Sequence, residues 1–162
     1  METKIIDYQT QQMKLTPLLA CAIGFGISHT YVTQQYNQLM EDIKHEKFEL
    51  LDQLHHFTSG MKSVYTQVAL DGIFAVRQSI GGAGFSAWGG IVQIIDEMSP
   101  TVTYEGDNTV MAKQSAKFLQ KCVKKVLKGE KLVGVFDYLN EMPTVLNIKN
   151  KATSPSDYTN IE

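Results

Sequence analysis

Cysteine is scarce in this chain of 162 residues, which contains only Cys21 and Cys122. Two isolated cysteines form neither the dense framework of a disulfide-stabilised secreted domain nor the paired spacing of a zinc site. We therefore expect two free thiols, which suits a reducing compartment. The adjacent His55 and His56 point in different directions on a helix, and no cysteine or carboxylate recurs at ligand spacing around them. No metal site is predicted.

An excess of basic charge is also lacking. The chain has 15 Lys and Arg residues against 17 Asp and Glu residues, a formal net charge of −2. This balance argues against a nucleic-acid partner, whose binding domains are usually basic overall. The low net charge and a hydrophobic content of 43% predict a folded domain with one sizeable core.

Long apolar runs are absent as well. The longest nearly apolar stretch, residues 18–27, contains two glycines and is far shorter than the ~20 residues of a spanning helix. We predict no membrane span. The first twelve residues resemble neither a signal peptide nor a transit peptide, and the last three are not a peroxisomal address of the Ser-Lys-Leu type.

Apolar residues instead recur every three or four positions, which predicts helices over about residues 7–44, 50–79, 91–98 and 107–128. Pro17 either kinks the first helix or marks its start. Residues 101–104 are β-branched and aromatic, and four such residues without a partner strand predict an extended linker. The fourth helix begins with Asp107 or Asn108 as its cap.

The fold class predicted by this pattern is all-α, an antiparallel four-helix bundle over residues 1–142. A short fifth helix is possible near residues 131–140. Residues 143–162 are rich in Thr, Ser, Asn, Lys and Pro without apolar periodicity, which predicts a loose polar tail.

A glycine-rich stretch, Gly82-Ala83-Gly84-Phe85-Ser86-Ala87, matches the pattern of dinucleotide-binding loops. That pattern requires a preceding buried strand, whereas the residues before Gly82 continue a helical period, so we reject a Rossmann site. Two interpretations remain. The stretch is a helix stop followed by a flexible loop, or its open backbone, beside Arg77 and Gln78, approaches a pyrophosphate closely.

A carboxylate stands just before the fourth helix, in Tyr104-Glu105-Gly106-Asp107-Asn108. By itself, a Glu in this position is more often a partner of the helix dipole than a catalyst.

Taken together, these segments resemble the C-terminal helical region of the acyl-CoA oxidases, flavoenzyme relatives of the acyl-CoA dehydrogenases. The resemblance covers roughly residues 5–143 and keeps both order and spacing. The matching groups are Asp7-Tyr8-Gln9-Thr10-Gln11-Gln12 with Lys14-Leu15-x-Pro17-Leu18-Leu19-Ala20, Arg77-(x)3-Gly81-Gly82-x-Gly84-Phe85, Pro100-x-x-Thr103-Tyr104-Glu105-Gly106-Asp107-Asn108-Thr109-Val110-Met111, and Lys131-Leu132-Val133 with Tyr138-Leu139-Asn140.

The resemblance implies that Glu105, in its Glu105-Gly106 pair, is the general base of a fatty acyl-CoA oxidation. Glu105 would take a proton from the α-carbon while a hydride leaves the β-carbon for FAD, giving trans-2-enoyl-CoA. Its backbone N–H would also hold the enolate oxygen. Oxygen would then be reduced to hydrogen peroxide, as in peroxisomal fatty acid β-oxidation. A base in a dry pocket suits this weakly acidic proton.

The resemblance also implies that Gly81, Gly82 and Gly84, with Arg77 and Gln78, border the FAD of a partner subunit. We accordingly expect a homodimer, or a partner chain that supplies the flavin domains. Relatives place an N-terminal helical domain and a middle β-domain ahead of this region. Without them the isolated chain is expected to be inactive. The alternative is a non-catalytic helical interaction subunit derived from such an oxidase.

Ala83 departs from the family, because it stands where the family commonly has His. Two further features leave alternatives open. Trp88 stands where the family's loop is usually smaller and polar, so Trp88 and Phe85 are either interface anchors or half-buried core residues. A stripe of lysines on the fourth helix is either a solvated face or a docking site for an acidic partner or the phosphates of CoA; it comprises Lys113, Lys117, Lys121, Lys124, Lys125 and Lys128.

Overall fold

A computed structural model describes residues 2–149 and 154–155. Five α-helices are present in this part of the chain, and no strand: α1 (Gln9–Ile43), α2 (Leu51–Ile80), α3 (Ile91–Met98), α4 (Asn108–Leu127) and α5 (Met142–Val145). The prediction of an all-α helical bundle is confirmed, with the first four helices within one or two residues of their expected bounds. Pro17 lies inside α1 and does not mark its start.

Helices α1 and α2 pack antiparallel. Near the beginning of α1, Gln11 Nε2 donates a hydrogen bond of 2.8 Å to the carbonyl oxygen of Ser79, near the end of α2. Farther along, the ring of Tyr31 meets that of Phe57, near the beginning of α2, edge-on at 5.9 Å between centroids. Early residues of one helix therefore meet late residues of the other.

Helix α4 also runs antiparallel to α2. Its first residue, Asn108, contacts Lys62, whereas Ser115 contacts His56, six residues earlier on α2. The two helices approach closely at Gly60, where a Cβ would lie 3.0 Å from Ser115 Oγ. This crossing brings the start of α4 against the middle of α2.

The core of α1 and α2 is small. Its buried residues are Val32, Leu39 and Leu54, and further apolar side chains pack partly buried against them: Met40, Leu50, Phe57 and Met61. Burial of these side chains provides a main driving force for pairing α1 with α2.

Much of α1 is exposed even though it is apolar. An 18-residue window of this helix has a mean hydropathy of 1.4 and is only 6% buried. By length and composition alone α1 is able to cross a membrane. The sequence did not indicate this because its longest nearly apolar stretch, residues 18–27, is much shorter than the helix. A single helix of this kind is weak evidence, because core helices of soluble proteins have the same composition. The absence of a membrane span stays a prediction.

Short 3₁₀ helices lie in the connections that follow α2, α3 and α4, whereas residues 44–50, between α1 and α2, form turns. The 3₁₀ helix Ser99–Val102 includes the first two residues of segment 101–104, which was predicted to be an extended linker. Thr103 also has a helical backbone conformation, with φ of −114° and ψ of −49°, so that prediction is wrong. Pro100 near the start of this turn favours the observed conformation, because its fixed φ suits a helical first turn.

The chain divides into two compact units, one ending at Phe118 and one starting at Leu119. In the second unit, the side chain of Asn140 donates to the carbonyl of Leu132 and accepts from its N–H, both at 2.9 Å. The fifth helix predicted near residues 131–140 corresponds to a 3₁₀ helix, Gly134–Glu141. A domain boundary after residue 142 stays a prediction, and most of the predicted polar tail (150–153 and 156–162) lies outside the described residues.

Candidate active site

The turn before α4 is fixed by a side-chain cap. Asp107 Oδ1 accepts a hydrogen bond of 2.8 Å from the backbone N–H of Thr109, so Asp107 rather than Asn108 is the cap. The hydrogen bonds from Thr109 hold the pKa of Asp107 below its usual 3.8, and the positive charge of Lys62 acts in the same direction. The carboxylate is therefore ionised and compensates the unpaired N–H groups at the helix start.

Glu105 and Gly106 both have left-handed backbone conformations, with φ of 55° and 105°. This region is costly for a residue with a Cβ, by roughly 1–2 kcal/mol. At Gly106 an added Cβ would also lie 2.7 Å from the sulfur of Met111. The two-residue turn therefore needs glycine at 106 and is strained at 105, a combination that is common at functional sites.

The carboxylate of Glu105 is exposed in this chain. The resemblance led us to expect a base held in a dry pocket. The described residues do not enclose Glu105, so exclusion of water from it requires a surface that they do not supply.

Side chains of α2 form hydrogen bonds to the turn at Glu105 and Gly106 and to the first residue of α4. Lys62 Nζ donates to the carbonyl oxygen of Gly106 and, at 2.8 Å, to Asn108 Oδ1. Ser63 Oγ donates to the carbonyl oxygen of Asn108 at 2.9 Å, and Asn108 Nδ2 donates to Thr66 Oγ1 at 3.0 Å. We call Lys62, Ser63, Thr66 and Asn108 the turn-anchoring network.

Sequence analysis missed the three α2 members of this network. The available signal is a cluster of polar residues, at positions 62, 63 and 66, between the apolar positions Met61, Val64 and Val68 of α2. Such a cluster indicates a polar face on a helix, but its partner lies more than forty residues away and cannot be read from helical periodicity.

An open groove lies beside the turn-anchoring network. It has a volume of about 530 Å³ and is lined by residues of α2 and of the first turns of α4: Ser63, Val64, Gln67, Val68, Asn108, Thr109 and Ala112. The mixture of methyl groups with hydroxyl and amide groups is typical of a groove for a ligand with both apolar and polar parts.

The glycine-rich loop begins where α2 ends. Gly81 terminates α2 with φ of 70° and its N–H donates to the carbonyl of Gln78. Gly82 is exposed, with nothing within 4 Å of the position of a Cβ, whereas Gly84 is buried against the carbonyl of Arg77. Gly84 is thus required by the fold of the chain itself, while Gly81 and Gly82 leave backbone open to a ligand. The preceding residues form a helix, which confirms that no Rossmann loop is present.

The predicted base and the predicted cofactor loop are far apart. Lys62, which holds the turn of Glu105, lies 18 residues before the last residue of α2, Ile80. At 1.5 Å per residue this separation is about 27 Å along the helix axis. Glu105 and Gly106 are therefore not brought together with Gly81, Gly82 and Gly84 within one chain.

Two aromatic side chains project from the glycine-rich segment. Trp88 is 99% exposed and Phe85 is 78% exposed. The alternative that they are half-buried core residues is therefore wrong for this chain. The interpretation as interface anchors remains.

His56 has a structural environment. Its ring stacks on that of Phe118, with centroids 4.9 Å apart, and its Nδ1 lies 2.9 Å from Ser115 Oγ. Burial lowers the pKa of His56 below its usual 6.5, partly offset by a hydrogen bond to the backbone of Ser115. Among residues 2–149 and 154–155, no group of three or more His, Cys, Asp or Glu side chains is placed to hold a metal ion.

The remaining sequence features are simply located. All six lysines of the α4 stripe are exposed, as a solvated face requires, and their docking role stays a prediction. Both thiols are free, Cys21 exposed and Cys122 buried. Burial raises the pKa of the Cys122 thiol.

The chain is similar to proteins of known identity. A family described as "Acyl-CoA oxidase, C-alpha1 domain" matches residues 1–120. Peroxisomal acyl-coenzyme A oxidase 1 of Bos taurus is 41% identical over 143 residues, which cover 88% of this chain and 22% of that protein. Peroxisomal acyl-coenzyme A oxidase 1 of Arabidopsis thaliana is 34% identical over 159 residues, 98% of this chain and 24% of that protein.

Solved structures agree. Arabidopsis thaliana acyl-CoA oxidase 1 matches 99% of this chain with a TM-score of 0.83 and 34% identity, over 24% of its own length. Acyl-CoA oxidase-1 of Caenorhabditis elegans, complexed with FAD and ATP, matches 97% of this chain with a TM-score of 0.80 and 32% identity, over 23% of its length. The chain thus spans about a quarter or less of each of these relatives.

Proposed function

The chain belongs to the acyl-CoA oxidase family, in which it corresponds to the C-alpha1 domain, and on that premise we propose that it supplies the catalytic base of an FAD-dependent oxidation of fatty acyl-CoA. The observation that carries this proposal is the turn of Glu105 and Gly106, held in a left-handed conformation by α2 beside an open groove. The first product is trans-2-enoyl-CoA. Reoxidation of the reduced FAD by O2 then gives hydrogen peroxide.

Glu105 is the general base of this reaction. Its carboxylate takes the proton from the α-carbon of the thioester, and its backbone N–H donates to the thioester oxygen as negative charge develops there. FAD supplies the acceptor for the hydride that leaves the β-carbon. Since Glu105 is exposed in this chain, the rest of the flavoprotein has to cover it and exclude water from the proton transfer.

The groove beside the network suits part of the acyl-CoA. Its apolar members accommodate methylene groups, and Gln67 adds a polar side chain to the lining. The groove touches Ser63 and Asn108, which also anchor the turn of Glu105, so a ligand in it lies next to the turn-anchoring network.

FAD fits the open backbone of Gly81 and Gly82, beside Arg77 and Gln78. Neither glycine has an atom within 4 Å of a Cβ position, so a pyrophosphate is able to approach the main chain. About 27 Å along α2 separates this loop from the turn of Glu105. That distance exceeds the length of a flavin ring, and it supports a homodimer in which each chain gives its base to one site and its glycine loop to the other.

The proposed function also implies a cellular compartment and a need for further domains. Several relatives are named peroxisomal acyl-coenzyme A oxidases, which supports the peroxisome as the compartment. The matched residues correspond to 22–24% of these relatives. In this proposal the other domains of such an oxidase contribute most of the flavin and substrate pocket, so these residues by themselves do not catalyse the oxidation.

A second candidate function is a non-catalytic helical interaction subunit. It is favoured by the exposed apolar surface of α1 and by the exposure of Trp88. Both candidates require a partner surface, but only the first requires Glu105.

The test is a native purification of the flavoprotein that contains this chain, in wild-type form and with Glu105→Gln. The amide cannot accept the α-proton, so we expect flavin to remain bound while acyl-CoA-dependent hydrogen peroxide falls by roughly 10³-fold. Glu97→Gln, at an exposed carboxylate on α3, is the matched control and should keep full activity. An active Glu105→Gln variant, or purification without any flavin, would remove the catalytic proposal and leave the second candidate.

A further inference from the structure

We propose that Lys62 is a positioning residue for the proton transfer, because it holds the turn that carries the base. This inference rests on the proposed function of Glu105. Lys62 does not touch the reacting atoms; it acts through the carbonyl oxygen of Gly106, to which its ammonium group donates.

The contact is directed at the turn itself. Lys62 Nζ bonds Gly106 O and Asn108 Oδ1, two neutral oxygens on either side of Asp107. Hydrogen bonds from a charged donor are roughly twice as strong as neutral ones. The peptide plane between Gly106 and Asp107 is therefore clamped from α2, and this plane forms the C-terminal end of the left-handed pair.

Such a clamp is needed because the left-handed conformation of the turn is higher in energy than the common backbone conformations. Glu105 adopts φ of 55°, a conformation that a side chain with a Cβ rarely keeps unless surrounding contacts enforce it. If the Gly106 carbonyl were released, Glu105 would be free to return to a commoner conformation. Its carboxylate and its N–H would then move together away from the substrate.

The clamp is itself well anchored. Thr66 Oγ1 donates to the carbonyl oxygen of Lys62 at 2.7 Å and accepts from Asn108 Nδ2. Ser63 holds the main chain of Asn108. The lysine thus has a partner on its own helix and two on the turn, and it lies half-buried between them.

Lys62 is not required merely to start α4. That task belongs to Asp107, which caps the helix through the N–H of Thr109. The hydrogen bond from Lys62 to the carbonyl oxygen of Gly106 lies outside α4, and it constrains the left-handed pair Glu105 and Gly106. The main effect of this hydrogen bond is therefore on the orientation of the Glu105 carboxylate and backbone N–H.

The experiment uses the assembled flavoprotein with this chain in place. Lys62→Met keeps an unbranched apolar side chain one atom shorter than lysine, and it has no donor. Flavin reduction by acyl-CoA, followed anaerobically in a single turnover, should be about 100-fold slower than wild type, the loss expected for a misplacement of about 1 Å. Substrate affinity and flavin content should each change less than about 3-fold, since neither depends on this bond.

Three further measurements separate positioning from folding. Lys62→Arg keeps a charged donor and should restore the rate to within about 10-fold of wild type. With substrate deuterated at the α-carbon, Lys62→Met should show an isotope effect at least as large as wild type, because proton transfer has become slower. Partial unfolding would reduce the amplitude of flavin reduction and leave its rate and isotope effect unchanged. Lys44→Met, at an exposed lysine 2.7 Å from Glu41, is the control and should react normally.

The outcomes decide between the two proposals. A wild-type rate in Lys62→Met, together with an inactive Glu105→Gln variant, overturns the role of Lys62 and leaves the proposed function intact. Full activity of Glu105→Gln overturns both. If Lys62→Met does not fold, Lys62→Arg and Thr66→Val take its place. The rate should then be lower in Thr66→Val, by about 3- to 10-fold, because its lysine and Asn108 lose their shared anchor. A wild-type rate in Thr66→Val overturns the inference, whereas a near-wild-type rate in Lys62→Arg is the result that the inference expects.

Discussion

Gly84 lies directly against the main-chain carbonyl of Arg77, so that a Cβ at position 84 would come well within 3.0 Å of that oxygen. The third glycine of the family motif is therefore explained by the chain's own folding, without reference to a cofactor. Gly82, two residues earlier, has open space at the position of its own Cβ. One short motif thus combines a glycine needed for packing with glycines that leave the backbone accessible.

Gly84→Ala should lower the free energy of unfolding by about 2 kcal/mol, because the added methyl group meets backbone that cannot rotate away. Gly82→Ala should change it by less than about 0.5 kcal/mol. Denaturant unfolding of both variants, with helical circular dichroism as the signal, makes the comparison. Equal stability of the two variants would show that the chain relaxes around Arg77 without cost.

The helices were predictable because their signals are local. Gly81 ends α2 where two consecutive glycines follow an apolar period, and the predicted α2 differs from the observed one by a single residue at each end. The family motif likewise predicted Glu105 as the base without any coordinates, and that role stays a proposal. The conformation of Glu105 was not predictable, since glutamate rarely adopts positive φ, and neither was Lys62, whose partners lie 44 and 46 residues along the chain. Tertiary contacts decide both.

The strain at Glu105 gives a stability prediction of its own. Glu105→Gly and Glu105→Ala both lack the carboxylate, but only glycine adopts φ of 55° freely. Glu105→Gly should therefore be more stable than Glu105→Ala by about 1 kcal/mol, even after the greater freedom of glycine in the unfolded chain is counted. Thermal or denaturant unfolding of the pair measures the difference. Equal values would mean that the left-handed conformation is not maintained in solution.

His56 predicts how stability depends on pH. Burial holds its folded-state pKa below the 6.5 of an exposed histidine, so the unfolded chain takes up a proton more readily than the folded one. The free energy of unfolding should consequently fall as the pH is lowered through 6.5 toward the folded-state pKa, and it should be unaffected by His56 above that range. Unfolding curves at a series of pH values between about 7.5 and 5 test this.

The matched variants for this test are His56→Gln and His45→Gln. Glutamine at 56 is able to keep a hydrogen bond to Ser115 but does not titrate, so part of the decrease in stability below pH 6.5 should disappear. His45 is exposed, and its replacement should leave the pH dependence as it is in the wild-type chain. An unchanged pH dependence in His56→Gln would assign the effect to other groups.

Replacement of Trp88 should affect association with a second chain and leave the stability of the isolated chain nearly unchanged. Since its side chain is 99% exposed, Trp88→Ala should change the free energy of unfolding of the isolated chain by less than about 0.5 kcal/mol. If the aromatic side chain anchors the interface with a second chain, its removal should weaken association by at least about 10-fold, as for a central tryptophan in other interfaces. Analytical ultracentrifugation of the assembled flavoprotein at decreasing concentration measures the dissociation constant.

Phe48→Ala provides the control for Trp88, because Phe48 is also a large exposed apolar residue, 55% exposed, but lies in the connection between α1 and α2. A general loss of apolar surface would weaken association equally in both variants. A specific anchor in the glycine-rich segment predicts weakening in Trp88→Ala alone, accompanied by a lower flavin content because the adjoining Gly81 and Gly82 would no longer be held near the partner's cofactor. Tight association with full flavin content in Trp88→Ala would show that this segment faces solvent in the assembled protein too.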